Sequence, residues 1–284
     1  MTPNPLLLRR RGALGALSGL SAIGLIGCGG AEDSSSATTA TPLDAATDGK
    51  LERILAASTT TCTLVAEEVE GPYPLRAILS NTAMVRSNIT EGKTGVALTL
   101  RLKLVDVNNA CAPISGASVY IWHCDKDGLY SGYDASNNAG QAGLTYLRGV
   151  QVSDSTGRVT FTTIFPGWYA GRITHIHAMV FLAGSSLGSS STAMATTQFA
   201  FPPAVTTAVY NSALYTKGQN TSVTSFSADN IFSDGTGTEL LTLSGSASAG
   251  YAGGLVLGID QTATSSGGGS GGGTPPTPPT GPRT

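Results

Sequence analysis

Two of the three histidines in this 284-residue chain stand one residue apart in the stretch GWYAGRITHIHAMVF, residues 167 to 181, behind a tyrosine and an arginine. THIHAMVF has the β-branched, alternating character of a strand, so His175 and His177 point to one face while Ile176, Ala178 and Val180 point to the other. Two imidazoles one strand step apart can share a metal ion. His-x-His alone is a short motif, and the competing reading is a pair of half-exposed histidines that bind nothing.

The remaining ligands decide which metal. A zinc hydrolase needs a third histidine or a carboxylate, and a facial-triad Fe(II) oxygenase needs an Asp or Glu. No acidic residue occurs between Asp154 and Asp229. The third histidine, His123 in YIWHCD, could complete a three-His zinc site but reads better as a structural residue at a strand end. Phenols are the anionic groups on offer: Tyr169 lies six residues before His175, and Tyr130 lies in CDKDGLYSGYD. A phenol with an ordinary pKa of ~10 ionises at neutral pH only beside a strong Lewis acid, and ferric iron is the hard partner for its oxygen. Two phenolates and two neutral imidazoles leave Fe(III) one positive charge. A hydroxide would neutralise it, lowering the cost of burying the ion.

The elements that must position these groups read as strands. The 37 glycines, the 12% of charged residues and the many Thr, Ser and Val favour a turn-rich β protein. In VALTLRLKL, Val96, Leu98, Leu100, Leu102 and Leu104 share one face, while Thr99, Arg101 and Lys103 share the other. ASVYIWHC and RVTFTTIF are further strands, DSTGR between them is a tight turn, and ELLTLSG and GLVLGID close the sheet. No long helix is expected. The expectation is an all-β antiparallel sandwich or flattened barrel over residues 56–262, with long loops able to carry a site.

Both ends differ in composition. LLLRRRGALGALSGLSAIGLIGCGG joins a basic start to an apolar run from Gly12 to Gly27, shorter than the roughly 20 residues of a membrane-spanning helix. It reads as an export signal over residues 1–27. Leu25-Ile26-Gly27-Cys28 resembles a lipobox, implying lipidation of Cys28 and a membrane-anchored cell-envelope lipoprotein. The pair Arg10-Arg11 resembles a twin-arginine signal. Residues 28–55 read as a flexible tether and 263–284 as a disordered Gly/Ser/Pro tail. Without the leader, Lys plus Arg falls from 16 to 13 against 18 Asp plus Glu, a net charge near −5 that argues against a nucleic-acid partner. In an oxidising compartment, two of Cys62, Cys111 and Cys124 should form a disulfide.

The stretches EGPYP (70–74), VRSNITEGKTGVALTLRLKLVD, GASVYIWHCDKDGLYSGY, LRGVQVSDSTGRVTFTTIFPGWYAGRITHIH and TQFAFP (197–202) together resemble the intradiol ring-cleavage dioxygenases over most of the domain. The resemblance implies Fe(III) as cofactor, with Tyr130, Tyr169, His175 and His177 as ligands. Catechol-type substrates and O2 would be its partners, and muconate-type dicarboxylates its products. Tyr169 would also serve as a built-in base. Arg172 matches the family arginine that stabilises negative charge on the substrate, Gln198 matches a glutamine near the same pocket, and Tyr73 resembles a residue lining the cavity. The plainer readings are a surface pair for Arg172, a strand-edge cap for Gln198 and packing for Tyr73. Only five residues separate Tyr169 from His175, fewer than in cytosolic members, and the helical dimerisation segment of catechol dioxygenases is absent. A non-catalytic module binding iron or aromatic compounds and a three-His zinc hydrolase are the competing functions.

Overall fold

A computed structural model of the chain describes residues 43–57 and 62–263. The leader, Cys28 and all of the expected tail after residue 263 lie outside the described residues.

Among the described residues, nine strands form two sheets. They are β1 (Ala97–Asp106), β2 (Ala112–Pro113), β3 (Ser118–Trp122), β4 (Arg148–Val152), β5 (Arg158–Ile164), β6 (His175–Phe181), β7 (Ala195–Ala200), β8 (Thr242–Ser246) and β9 (Gly250–Ile259). In the first sheet β1 is central. It pairs antiparallel with β2 and β5 and parallel with β9, which carries β8 on its other edge. The second sheet is antiparallel in the order β4-β3-β6-β7. The β1–β9 pairing is thus the one parallel contact between the strands of an otherwise antiparallel sandwich.

Alternation fixes which side chains meet. Leu98, Leu100, Leu102 and Leu104 of β1 join Val119 and Ile121 of β3, Phe161 of β5, Ile176, Ala178 and Val180 of β6, and Leu257 of β9 in one buried core. The second sheet is covered on its outer face too. Tyr120, Trp122, Met179 and Phe181 pack there with Tyr73 and Tyr130 in a separate aromatic cluster. Strand β6 is therefore buried along its whole length, which explains why its polar residues are not at the surface.

The tether expectation is corrected at its C-terminal end. Ala45–Ala57 forms helix α1, and its Leu51, Ile54 and Leu55 are buried. Leu51 and Ile54 pack with Ala252 of β9. A Cβ on Gly254 would meet Ile54 Cγ2 at 2.8 Å, so that glycine lets the helix approach the sheet. The helix also covers the face of β1 expected to meet water. Arg101 donates to Asp48 at 2.8 Å and Glu52 at 2.7 Å, and Glu52 accepts from Arg158 at 2.6 Å. A second short helix, α2 (Pro203–Tyr210), follows β7.

Cys62 and Cys111 form the disulfide, 49 residues apart, and Cys124 is free and buried. Replacing both bonded cysteines by serine should lower stability by about 2–4 kcal/mol, read from urea unfolding with a steeper slope, because the uncrosslinked denatured chain exposes more surface.

Candidate metal centre

The outer face of β6 brings His175 and His177 against two loops. One follows β3 and carries Tyr130, and the other runs from β5 to β6 and carries Tyr169. His175 Nε2 lies 3.0 Å from His177 Nε2, 3.2 Å from Tyr169 Oη and 3.4 Å from Tyr130 Oη. Four donor atoms from three chain segments therefore converge on one point. The histidines are 2% and 1% exposed, which removes the half-exposed reading.

Each donor is aimed by its surroundings. His175 Nδ1 lies 2.6 Å from the Ile173 carbonyl. A carbonyl only accepts, so Nδ1 carries the proton and Nε2 turns its lone pair toward the cluster. His177 stacks on Trp122 with ring centres 4.8 Å apart and planes within 5°. A Cβ on Gly71, at φ 71°, would meet His177 Cε1 at 2.8 Å, so only glycine fits against that edge. Tyr130 is buried and stacks on Tyr73 at 4.8 Å, and its backbone N–H donates to Asn138 Oδ1 at 2.7 Å.

Burial sets the protonation states. It pushes His175 down to about 3, helped by the charge of Arg172, and holds His177 well below its usual range, so both imidazoles are neutral. Burial also pushes Tyr169 up to about 12 and Tyr130 well above its usual value. The phenols keep their protons unless a strong cation sits between them. The set contains no carboxylate, and His177 Nδ1 is buried without a hydrogen bond. Two neutral imidazoles and two acidifiable phenols fit a hard trivalent ion such as Fe(III), with the phenolates supplying the compensating charge.

The three-His alternative does not assemble. His123 is 1% exposed, with Nδ1 2.8 Å from the Cys124 carbonyl and Nε2 2.8 Å from Thr163 Oγ1, so both nitrogens are committed. Among the described residues, no group of three or more His, Cys, Asp or Glu side chains is placed to hold a metal.

Arg172 is 9% exposed and buried behind the donors, not a surface residue. Its Nε donates to Asp229 at 3.1 and 3.0 Å, and its Nη2 donates to Gln198 Oε1 at 2.7 Å. Gln198, paired with His177 across β6 and β7, donates from Nε2 to the Val69 carbonyl at 2.9 Å, so it is a fully buried link and not an edge cap. Tyr73 both packs and bounds the cluster: it stacks on Tyr130 and meets Tyr133 edge-on at 5.3 Å.

Three residues were not anticipated. In the sequence Asp229 marks only the far end of an acid-free gap, yet it is fully buried against Arg172. Arg148, 0% exposed, donates to the carbonyls of Tyr73 and Ser131 at 2.7 Å each, to Tyr120 Oη at 3.0 Å and to Ser131 Oγ at 2.9 Å. It ties β4 to the segments carrying Tyr73 and Tyr130. Trp122, which stacks on His177, carries no sequence signal of that role beyond its place in a strand.

Near Arg172, burial holds Glu68 up to about 7, and burial with the Glu68 charge holds Glu239 up to about 8, both from an ordinary 4.5. A carboxyl raised on folding binds more protons in the folded chain, so its stabilising share is lost as pH rises through the folded value. Between about pH 4.5 and 8 the unfolding midpoint should fall with rising pH, and Glu239→Gln should flatten that decline.

Comparison with known proteins adds to this picture. A family model described as Dioxygenase matches residues 69–201. The solved intradiol ring-cleavage dioxygenase from Tetranychus urticae is 31% identical, with 72% of this chain and 98% of that chain covered and a TM-score of 0.60. A second solved dioxygenase is 30% identical, with the same coverage and a TM-score of 0.61. The dioxygenase domain of a carbohydrate-binding fusion from Streptomyces sp. SirexAA-E is 22% identical, with 70% of this chain and 99% of that chain covered and a TM-score of 0.45. No curated protein matches the chain significantly.

Proposed function

Because the chain belongs to the intradiol ring-cleavage dioxygenase family, we propose that it cleaves catechol-type rings between their two hydroxylated carbons, with Fe(III) held by Tyr130, Tyr169, His175 and His177. The convergence of four carboxylate-free donor atoms on the outer face of β6 carries this reading. When bound, ferric iron supplies Lewis acidity toward the catechol oxygens and one-electron chemistry toward O2.

The chain's own groups supply the rest. Both phenols sit in loops, but Tyr169 is the less buried, whereas Tyr130 is 1% exposed and wedged under Tyr73. Tyr169 Oη is therefore the group with room to take up the proton a catechol hydroxyl loses on binding. The Arg172 guanidinium stabilises negative charge that develops on the ring carbon attacked by oxygen, acting as a cation already in place. Gln198 holds that cation from the side, and Tyr73 offers an aromatic wall beside Tyr130. The ring bond between the hydroxylated carbons breaks, and both atoms of one O2 are retained in the dicarboxylate product.

Oxygen-electrode assays of the iron-loaded protein over catechol, protocatechuate and hydroxyquinol test the reaction. One O2 should be consumed per ring opened to a muconate-type product. No uptake with any of the three, at full iron occupancy, would reject it. Export as a lipoprotein remains part of the proposal. It rests on the leader and on the Cys62–Cys111 disulfide, which suits an oxidising compartment. A mature N-terminus other than lipid-modified Cys28 in mass spectra would count against it.

A further inference from the structure

We infer that Asp229 is a positioning residue for the ring-cleavage reaction, fixing the Arg172 guanidinium so that a single amino group faces the reacting ring. The inference rests on the function proposed above. Asp229 lies 57 residues after Arg172 and is fully buried, and it is the only acidic residue the loop between Tyr169 and His175 touches through a side-chain hydrogen bond among the described residues.

Its carboxylate is saturated by donors from two segments. Oδ1 accepts from the backbone N–H of Ile231 at 2.9 Å and of Phe232 at 3.3 Å, and Oδ2 accepts from the N–H of Ile173 at 2.7 Å. Both oxygens lie within 3.1 Å of Arg172 Nε. The same stretch of chain holds the loop elsewhere: Ser222 Oγ accepts from Gly171 N at 2.6 Å, and Asn220 Nδ2 donates to the Arg172 carbonyl at 2.8 Å. Asp229 is thus anchored independently of the arginine it holds.

Arg172 is then pinned at two of its three nitrogens. Nε is taken by Asp229 and Nη2 by Gln198, which is itself fixed by Val69. Nη1 has no hydrogen-bond partner among the described residues. Contacts at two different nitrogens of a planar group, made to two separate side chains, fix its plane and the direction of the third nitrogen. With Asp229 lost, only the Gln198 contact remains, and the guanidinium can turn about it. A cation that must reorganise as charge develops stabilises that charge less than one already aimed.

Asp229→Asn tests this, since it is isosteric and keeps Oδ1 for Ile231 and Phe232. The expected result is a fall in kcat of about 10- to 100-fold with KM changed less than about threefold, and with iron content and visible spectrum unchanged. In an Arg172→Met background the same substitution should cost less than about twofold, because the group it acts through is gone. An equal loss in both backgrounds would overturn the inference, as would an Asp229→Asn enzyme within about twofold of the unsubstituted one. Should Asp229→Asn fail to fold, Asp229→Ser takes its place in the same cycle. A second readout needs no turnover: phenylglyoxal modification of Arg172, followed by mass spectrometry, should be at least about tenfold faster in the variant. Equal modification rates overturn the inference even if the unsubstituted protein cleaves no catechol, a result that by itself counts only against the proposed reaction.

Discussion

Tyr169→Phe is expected to abolish ring cleavage, lowering kcat by at least about 10³-fold, while the folded structure survives. The substitution removes one oxygen atom and little else. The ring meets Tyr130 edge-on at 5.7 Å and His175 at 5.6 Å, and a phenylalanine keeps both contacts. The hydroxyl lies 3.2 Å from His175 Nε2, so its loss takes one of four donors and the group proposed to take up the substrate proton. The charge argument points the same way. With one phenolate left, a trivalent ion keeps an extra positive charge in a site whose burial already disfavours charge, so iron affinity should fall as well. The visible band should weaken in proportion to the tyrosinate lost. His123→Ala is the matched control: it removes a buried imidazole committed to Cys124 and Thr163, and iron content should stay near that of the unsubstituted protein.

Arg148→Met should have the largest effect on stability, about 2–5 kcal/mol, from a residue that touches none of the four donors. Two terms oppose each other. Removing a buried cation whose hydrogen-bond partners are all neutral relieves a desolvation cost of several kcal/mol. Against that, the carbonyls of Tyr73 and Ser131 lose the guanidinium donor from β4, and each buried acceptor left unpaired costs about 1–3 kcal/mol. The hydrogen bonds to Tyr120 and Ser131 Oγ disappear too. Because four charge-assisted bonds are worth about 1.5–3 kcal/mol each, their loss wins. Chemical denaturation reads the stability change. An iron-loading assay should show weaker retention, because Ser131 adjoins Tyr130 and loosens with it.

What the sequence made legible follows periodicity and donor chemistry. The β1 leucines alternate cleanly because one face of that strand meets the inter-sheet core, and they all landed there. The same two-residue period puts the two histidines on one face, and the absence of nearby carboxylates in the sequence points to Tyr130 and Tyr169. Helix α1 was missed for an identifiable reason. Its segment AATDGKLERILAA follows a polar low-complexity stretch and contains Gly49, and its helical stripe is only Leu51, Ile54 and Leu55. That stripe gains its stability from β9, which lies some two hundred residues away in the chain. Arg101 looked like a solvent-facing residue because its partners, Asp48 and Glu52, belong to that unforeseen helix. Asp229 and Arg148 were illegible for a related reason. Each is a single charged residue whose role depends on a distant partner, and no spacing rule links residue 172 to 229 or residue 148 to 73. Choosing between the cysteines likewise required the fold, since Cys124 turns inward beside His123 while Cys62 meets Cys111.

The central claim is that two phenols and two imidazoles hold ferric iron, and the visible absorption spectrum of purified protein of known metal content tests it most directly. Tyrosinate bound to Fe(III) absorbs visible light by charge transfer. The prediction is a reddish protein with one iron per chain, whose band weakens on Tyr130→Phe and on Tyr169→Phe alike. A colourless protein carrying one zinc per chain would contradict it.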